Sequence, residues 1–115
     1  MDERQAILST VKAESQATLA ALEHEHARMI EASLDSNADD EHDPEGATIA
    51  FEREQLAAAL ARTRAALARI DQAQAELQAG RYGVCAGCGE PIAVARLEAR
   101  PLATHCISCA DGRRV

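Results

Sequence analysis

Aromatic side chains are almost missing from this sequence: tryptophan is absent, and Tyr82 and Phe51 are the single tyrosine and phenylalanine. Aromatics bury the most area per residue, so their scarcity argues against a large globular core. Long apolar runs are missing too; none approaches the roughly 20 residues needed to span a bilayer. The opening Met1-Asp2-Glu3-Arg4-Gln5 has neither the basic start nor the apolar stretch of a secretory signal, so a cytoplasmic protein is expected. Positive charge is in deficit, with 19 acidic against 12 basic residues and a formal net charge of −7. That balance argues against a duplex-DNA binder, whose affinity comes mainly from cationic contacts to phosphate. Alanine is what the chain has in quantity, 26 of 115 residues, which suits helices packed side by side with some other device holding the remainder.

The charge is unevenly placed. Nine acids and one base, Arg53, lie between Glu31 and Glu54, whereas from Arg62 onward eight arginines face five acids. An acidic region followed by a mildly basic one suggests a partner with an electropositive recess, although charged runs often serve only as solvated surface.

All four cysteines fall in the last 31 residues, as Cys85-x-x-Cys88 and Cys106-x-x-Cys109 with 17 residues between the pairs. Two such hooks can each present two thiolates to one tetrahedral Zn2+ at about 2.3 Å per bond. Gly87 and Gly89 flank Cys88, where the backbone must turn for amide N–H groups to face the sulfurs. Two disulfides are the alternative in an oxidising compartment, and a thioredoxin-like redox pair is weaker, because it needs one hook in a βαβ setting. One structural Zn2+ held by Cys85, Cys88, Cys106 and Cys109 is expected. Four thiolates leave no open position for water, so hydrolytic zinc catalysis is not expected. His105, beside Cys106, is the one conceivable substitute ligand and is assigned to the surface.

The body of the chain reads as two long helices forming an antiparallel coiled-coil hairpin over residues 1–79, followed by a four-cysteine module over 80–115: a mainly α fold. Residues 3–34 lack Gly and Pro, and an apolar stripe runs Leu8, Val11, Ser15, Thr18, Leu22, then His26 or Glu25, Met29 and Ser33, with Leu19, Ile30 and Leu34 alongside. The second helix is cleaner. Ile49, Arg53, Leu56, Leu60, Thr63, Leu67, Ile70, Gln74 and Leu77 follow steps of four and three without a break, a heptad seam. Asp43 as N-cap and Pro44 at the first helical position mark its start, and Gly80 sits where a left-handed cap would end it. The acidic turn, about 35–43, connects the arms, each about 45–50 Å long at 1.5 Å per residue.

Tyr82-Gly83-Val84-Cys85-Ala86-Gly87-Cys88-Gly89-Glu90-Pro91-Ile92, then Arg96-Leu97-Glu98-Ala99-Arg100-Pro101 and Cys106-Ile107-Ser108-Cys109, closely resemble the zinc module of the DksA/TraR family. The resemblance spans roughly residues 30–110. It implies a bacterial transcription regulator that binds RNA polymerase directly, without sequence-specific DNA binding, and inserts its hairpin into the secondary channel so that acids at the turn lie near the catalytic centre. It also implies guanosine tetraphosphate as a co-effector. Only Ala110 to Val115 follow the last cysteine, however, so the C-terminal helix of longer members is short or missing, which weakens that expectation. The family's Asp-x-x-Asp-x-Ala turn has two registers here. Asp40-x-x-Asp43-x-Glu45 keeps both acids, and Asp43-x-x-Gly46-x-Thr48 loses the second. Asp39, Asp40, Asp43 and Glu45 are accordingly the candidate partner-binding residues, with Asp43 also explained by helix capping alone.

Two other functions fit parts of the pattern. A zinc-stapled adaptor would use its hairpin to bind another helical protein, and turn carboxylates chelating Mg2+ could assist another enzyme's two-metal site. A freestanding enzyme is not expected, since the sequence offers no pocket-forming core, open metal site or nucleophile–base pair.

Overall fold

A computed structural model describes residues 3–36 and 44–112. Helix α1 spans Glu3–Ser36 and α2 spans Pro44–Gln78; two short helices follow, α3 at Val94–Ala99 and α4 at Ile107–Ala110. The fold is mainly α, an antiparallel helix hairpin followed by a small four-cysteine module. Among the described residues no strand forms; a single antiparallel bridge joins Val84 to Pro91. No helix of the described residues is long and apolar enough to cross a membrane.

The helices form for the reasons the sequence gives. Residues 3–36 contain no helix breaker, and Glu3 places negative charge in the first turn, where it meets the positive end of the helix dipole. Helix α2 begins at Pro44, whose fixed φ suits a first helical position and whose missing N–H costs no helical hydrogen bond. It ends before Gly80, which adopts φ +78, a conformation that any side chain would disfavour. Past that point the Arg81 and Tyr82 N–H groups both donate to the Glu76 carbonyl, at 2.8 and 3.1 Å, while the Gly80 N–H reaches the Leu77 carbonyl at 3.2 Å. Carbonyls at the end of α2 are thus satisfied by the chain turning into the module.

Contacts divide the chain into two compact units, one comprising Met1–Lys12 with Ala68–Val115 and the other Ala13–Leu67. In the first, the ends of both helices pack together with the cysteine module. Leu8 of α1 and Ile70 of α2 are fully buried, and Lys12 pairs with Asp71 at 2.9 Å. Arg4 stands over the Tyr82 ring, 5.9 Å from its centroid. In the second unit, Leu56 and Leu60 of α2 are buried and Arg64 pairs with Glu23 at 3.4 Å. These pairs are exposed and each contributes at most about 1 kcal/mol, whereas each buried Leu or Ile contributes about 1.5–3 kcal/mol.

The seam of α2 follows the heptad reading from Leu56 to Leu77, every position of that series being buried or half-buried. Above it the pattern stops: Ile49 is 43% exposed and Arg53 is exposed. The α1 stripe needs correction at two places. Leu19, not Thr18, faces inward, and Thr18 is exposed with its hydroxyl donating to the Glu14 carbonyl at 3.0 Å. Of the two candidates at the next turn, His26 is the half-buried one and Glu25 is exposed. Lys12 also sits in the seam, which then runs Leu8, Lys12, Ser15, Leu19, Leu22, His26, Met29 in steps of four and three. Ile30 and Leu34, 47% and 75% exposed, lie off it.

Candidate functional site

The module has a very small core. Cys85, Ile92 and Leu97 are buried, with Tyr82, Cys88, Ala103, Cys106 and Cys109 packed against them. Three buried side chains cannot hold some thirty residues folded, so a further constraint is required. The four cysteines supply it. All are free, and their sulfurs lie within 4.8 Å of one another. Cys88 and Cys106 Sγ are 3.9 Å apart. A disulfide would bring them to about 2.05 Å, whereas two thiolates on one tetrahedral Zn2+ stand about 3.8 Å apart, given bonds of about 2.3 Å.

Backbone amides converge on these sulfurs. The Gly87 and Cys106 N–H groups both donate to Cys85 Sγ at 3.3 Å, one from each hook, and the Cys109 N–H donates to Cys106 Sγ at 3.5 Å. Cys106 is also the N-cap of α4, so helix capping and sulfur orientation are one interaction. Gly87 is required by space: a Cβ there would lie 3.1 Å from Cys109 Sγ. In the metal-free protein the amides, led by that of Cys106, pull the Cys85 thiol down to about 5, while burial and the neighbouring sulfurs push Cys109 up to about 12. The set thus carries its full negative charge only when a cation compensates it. The donors, their spacing and their amide partners fit a structural Zn2+, and one such ion is the cofactor of this fold. Bound there, it cross-links the two hooks and contributes folding free energy directly. His105 stays outside the group; its Nδ1 lies 2.9 Å from the Thr104 hydroxyl.

Several residues that position the site have no motif to announce them. The Tyr82 hydroxyl donates to the Pro101 carbonyl at 2.7 Å, and burial raises its pKa. Arg96 Nε donates to the His105 carbonyl at 2.9 Å, fixing the strip that leads into Cys106. Arg81 makes two bonds to the Glu76 carboxylate, at 2.8 and 3.3 Å, which hold Glu76 below its ordinary pKa. A lone tyrosine in an aromatic-poor chain, just past a helix end, was the available signal for the first of these. Arg69, Arg96 and Arg100 line a shallow groove with His105, an electropositive feature made by residues distant in sequence.

Of the candidate partner-binding residues, Asp39, Asp40 and Asp43 lie outside the described residues, and Glu45 falls in the first turn of α2. Among the described residues, exposed Glu31, Glu52 and Glu54 extend the acidic run on both helices.

A helix hairpin closed by a four-thiolate metal module defines a class of small zinc-stapled proteins without an open catalytic metal position. Residues 80–114 match the prokaryotic DksA/TraR C4-type zinc finger. The chain is 46% identical over 50 residues to the RNA polymerase-binding transcription factor DksA of Caulobacter vibrioides, an alignment covering 44% of this chain and 35% of that protein. It is 42% identical over 48 residues to the RNA polymerase-binding transcription factor DksA of Haemophilus influenzae, covering 42% of this chain and 33% of that protein. These matches span about a third of the relatives' length. The solved structure of the transcription factor DksA2 from Pseudomonas aeruginosa superposes with a TM-score of 0.79 at 27% identity, over 96% of this chain and 79% of that one. Residues 80–114 thus resemble a DksA/TraR zinc finger, and the chain as a whole is similar in structure to DksA2.

Proposed function

We propose that this protein regulates bacterial transcription by binding RNA polymerase directly, its zinc module docking on the enzyme and its acidic turn entering the secondary channel. The observation that carries this reading is structural similarity to the transcription factor DksA2 along 96% of the chain, hairpin included, and not over the zinc finger alone. The charge pattern supports it independently. Nine acids between Glu31 and Glu54 give the turn region the sign that a metal-bearing or basic recess attracts. The groove lined by Arg69, Arg96 and Arg100 gives the other unit the means to hold acidic or phosphate-bearing groups.

In this mechanism the zinc ion is structural. Cys85, Cys88, Cys106 and Cys109 hold the module closed, and Glu76, Arg81 and Tyr82 tie it to the end of α2. Asp39, Asp40, Asp43 and Glu45 act at the partner's catalytic centre by charge, shifting the stability of promoter complexes without contacting DNA bases.

The test uses zinc-loaded protein carrying a photo-crosslinker at position 37, mixed with purified bacterial RNA polymerase. Crosslinks to the secondary channel or catalytic loops are expected. Tight binding with crosslinks elsewhere would keep the partner and discard insertion, and no binding would favour an adaptor for some other helical protein.

A further inference from the structure

A second feature of the zinc-bearing unit borders the metal site at Cys85 and takes no residue from the acidic turn. Between the C-terminal part of α2 and the module lies a groove of about 360 Å³. Its walls are fixed from three sides. The Arg81–Glu76 pair closes one end, the Tyr82–Pro101 hydrogen bond holds the ring in place, and the Ala86 N–H donates to the Thr104 carbonyl at 2.8 Å across the base. The apolar part of the lining is Ala73 from α2, and Val84, Ala86, Pro101, Leu102 and Ala103 from the module, with Gln72 and Thr104 adding polar groups. Val84 is 45% exposed, although it is one of few large aliphatic residues in a module with three buried side chains. On the rim, Arg69 is exposed and has no ion-pair partner among the described residues, while Arg81 is already engaged by Glu76. A pre-formed apolar groove of this size with one unspent cation at its edge has the makings of a small-ligand site.

We infer that this groove binds an amphipathic anion, a carboxylate on an apolar body, with the body between α2 and residues 82–86 and 101–104 and the carboxylate against Arg69. Charge complementarity selects the head group, since the engaged Arg81–Glu76 pair is neutral as a unit and Arg69 leaves the rim positive. The apolar part of the lining selects the body, since Val84, Pro101 and Leu102 offer surface for hydrocarbon. This inference shares Arg69 with the groove proposed to meet the polymerase but does not depend on that reading, since its test uses no polymerase.

The test is a titration of the full-length, zinc-loaded chain with octanoate, followed by amide NMR, with octylamine and acetate as controls. Saturable shifts confined to residues 69–76, 82–86 and 102–104 are expected for octanoate and absent for both controls. Affinity should rise about three- to fourfold per added methylene from hexanoate to octanoate, the factor for transferring one CH2 out of water. Arg69→Gln should weaken octanoate binding about two- to fivefold, as expected for an exposed ion pair, and Arg69→Glu should weaken it further. Ala73→Phe should fill the groove and abolish binding; zinc content and helical circular dichroism report whether that variant is folded, and Arg69→Glu, a change at an exposed position, carries the test if it is not. Equal binding of octylamine, shifts centred on Arg96 and His105, or octanoate affinity unchanged in Arg69→Glu would each overturn the inference.

Discussion

Tyr82 illustrates how much a single side chain does in a domain with so small a core. Its hydroxyl satisfies the Pro101 carbonyl, and its ring lies under Arg4 and against the buried cluster. Replacing it by phenylalanine keeps the ring and leaves that carbonyl without its donor. The expected loss is about 1 kcal/mol, read from thermal unfolding of the zinc-loaded protein. The sulfurs give a second prediction at this scale. In the metal-free protein Cys85 ionises near 5, and Cys109 keeps its proton until about 12. Zinc binding in the range between those values must therefore expel at least the Cys109 proton. Affinity should rise with pH by at least about tenfold per unit through neutrality, because each released proton adds one such factor. Calorimetry in two buffers of different ionisation enthalpy counts those protons, and a count of zero would contradict the geometry. The amide turn at Cys88 was legible from Gly87 and Gly89, whereas the partner of Tyr82 was not. The four cysteines announce themselves by spacing, but Tyr82 and Pro101 meet only after 19 residues of chain have closed on themselves.

At the scale of elements, the two long helices differ in how plainly their sequences state their packing. Helix α2 carries Leu56, Leu60, Leu67, Ile70 and Leu77 in strict alternation, and from Leu56 to Leu77 its seam lies where the pattern puts it. Helix α1 fills several inward positions with Lys12, Ser15 and His26, so apolar spacing alone left Thr18 and Leu19 equally plausible. The choice is made by the partner helix, through contacts such as Lys12 with Asp71. The fully buried Ile70 and the exposed Ile49 separate packing from composition. Ile70→Ala should cost about 2–5 kcal/mol, and Ile49→Ala about 0.5 kcal/mol or less. Urea unfolding measures both, and equal losses would show that the seam extends to Ile49. The apolar groove was invisible for a related reason: its walls come from α2 and from two separate stretches of the module, and no local pattern marks a surface assembled in that way.

The whole molecule depends on zinc unequally. Cys106→Ser removes one of the four thiolates while keeping an N-capping oxygen and the backbone amide that meets Cys85, and the loss of zinc should unfold the module. Residues 13–67 form their own compact unit and should keep most of their helical circular dichroism in that variant. Total loss of the helical signal would show that the two units unfold together. The double substitution Asp40→Asn with Asp43→Asn should do the reverse, leaving fold and zinc content intact while weakening the effect on transcription in a purified system.

One consequence concerns how this chain is made. The unit that holds the metal is assembled from Met1–Lys12 and Ala68–Val115, so it closes only when a segment made before residue 13 meets one made after residue 67. Arg4 cannot find Tyr82, nor Lys12 find Asp71, until most of the chain has been synthesised. At about 5–20 residues per second, the N-terminal turns of α1 wait several seconds for their partners. Marginal as an isolated helix, that segment carries Leu8 exposed throughout the interval. Synthesis halted between the two cysteine hooks would yield a chain with both long helices but only two of the four thiolates, so zinc could not close the module.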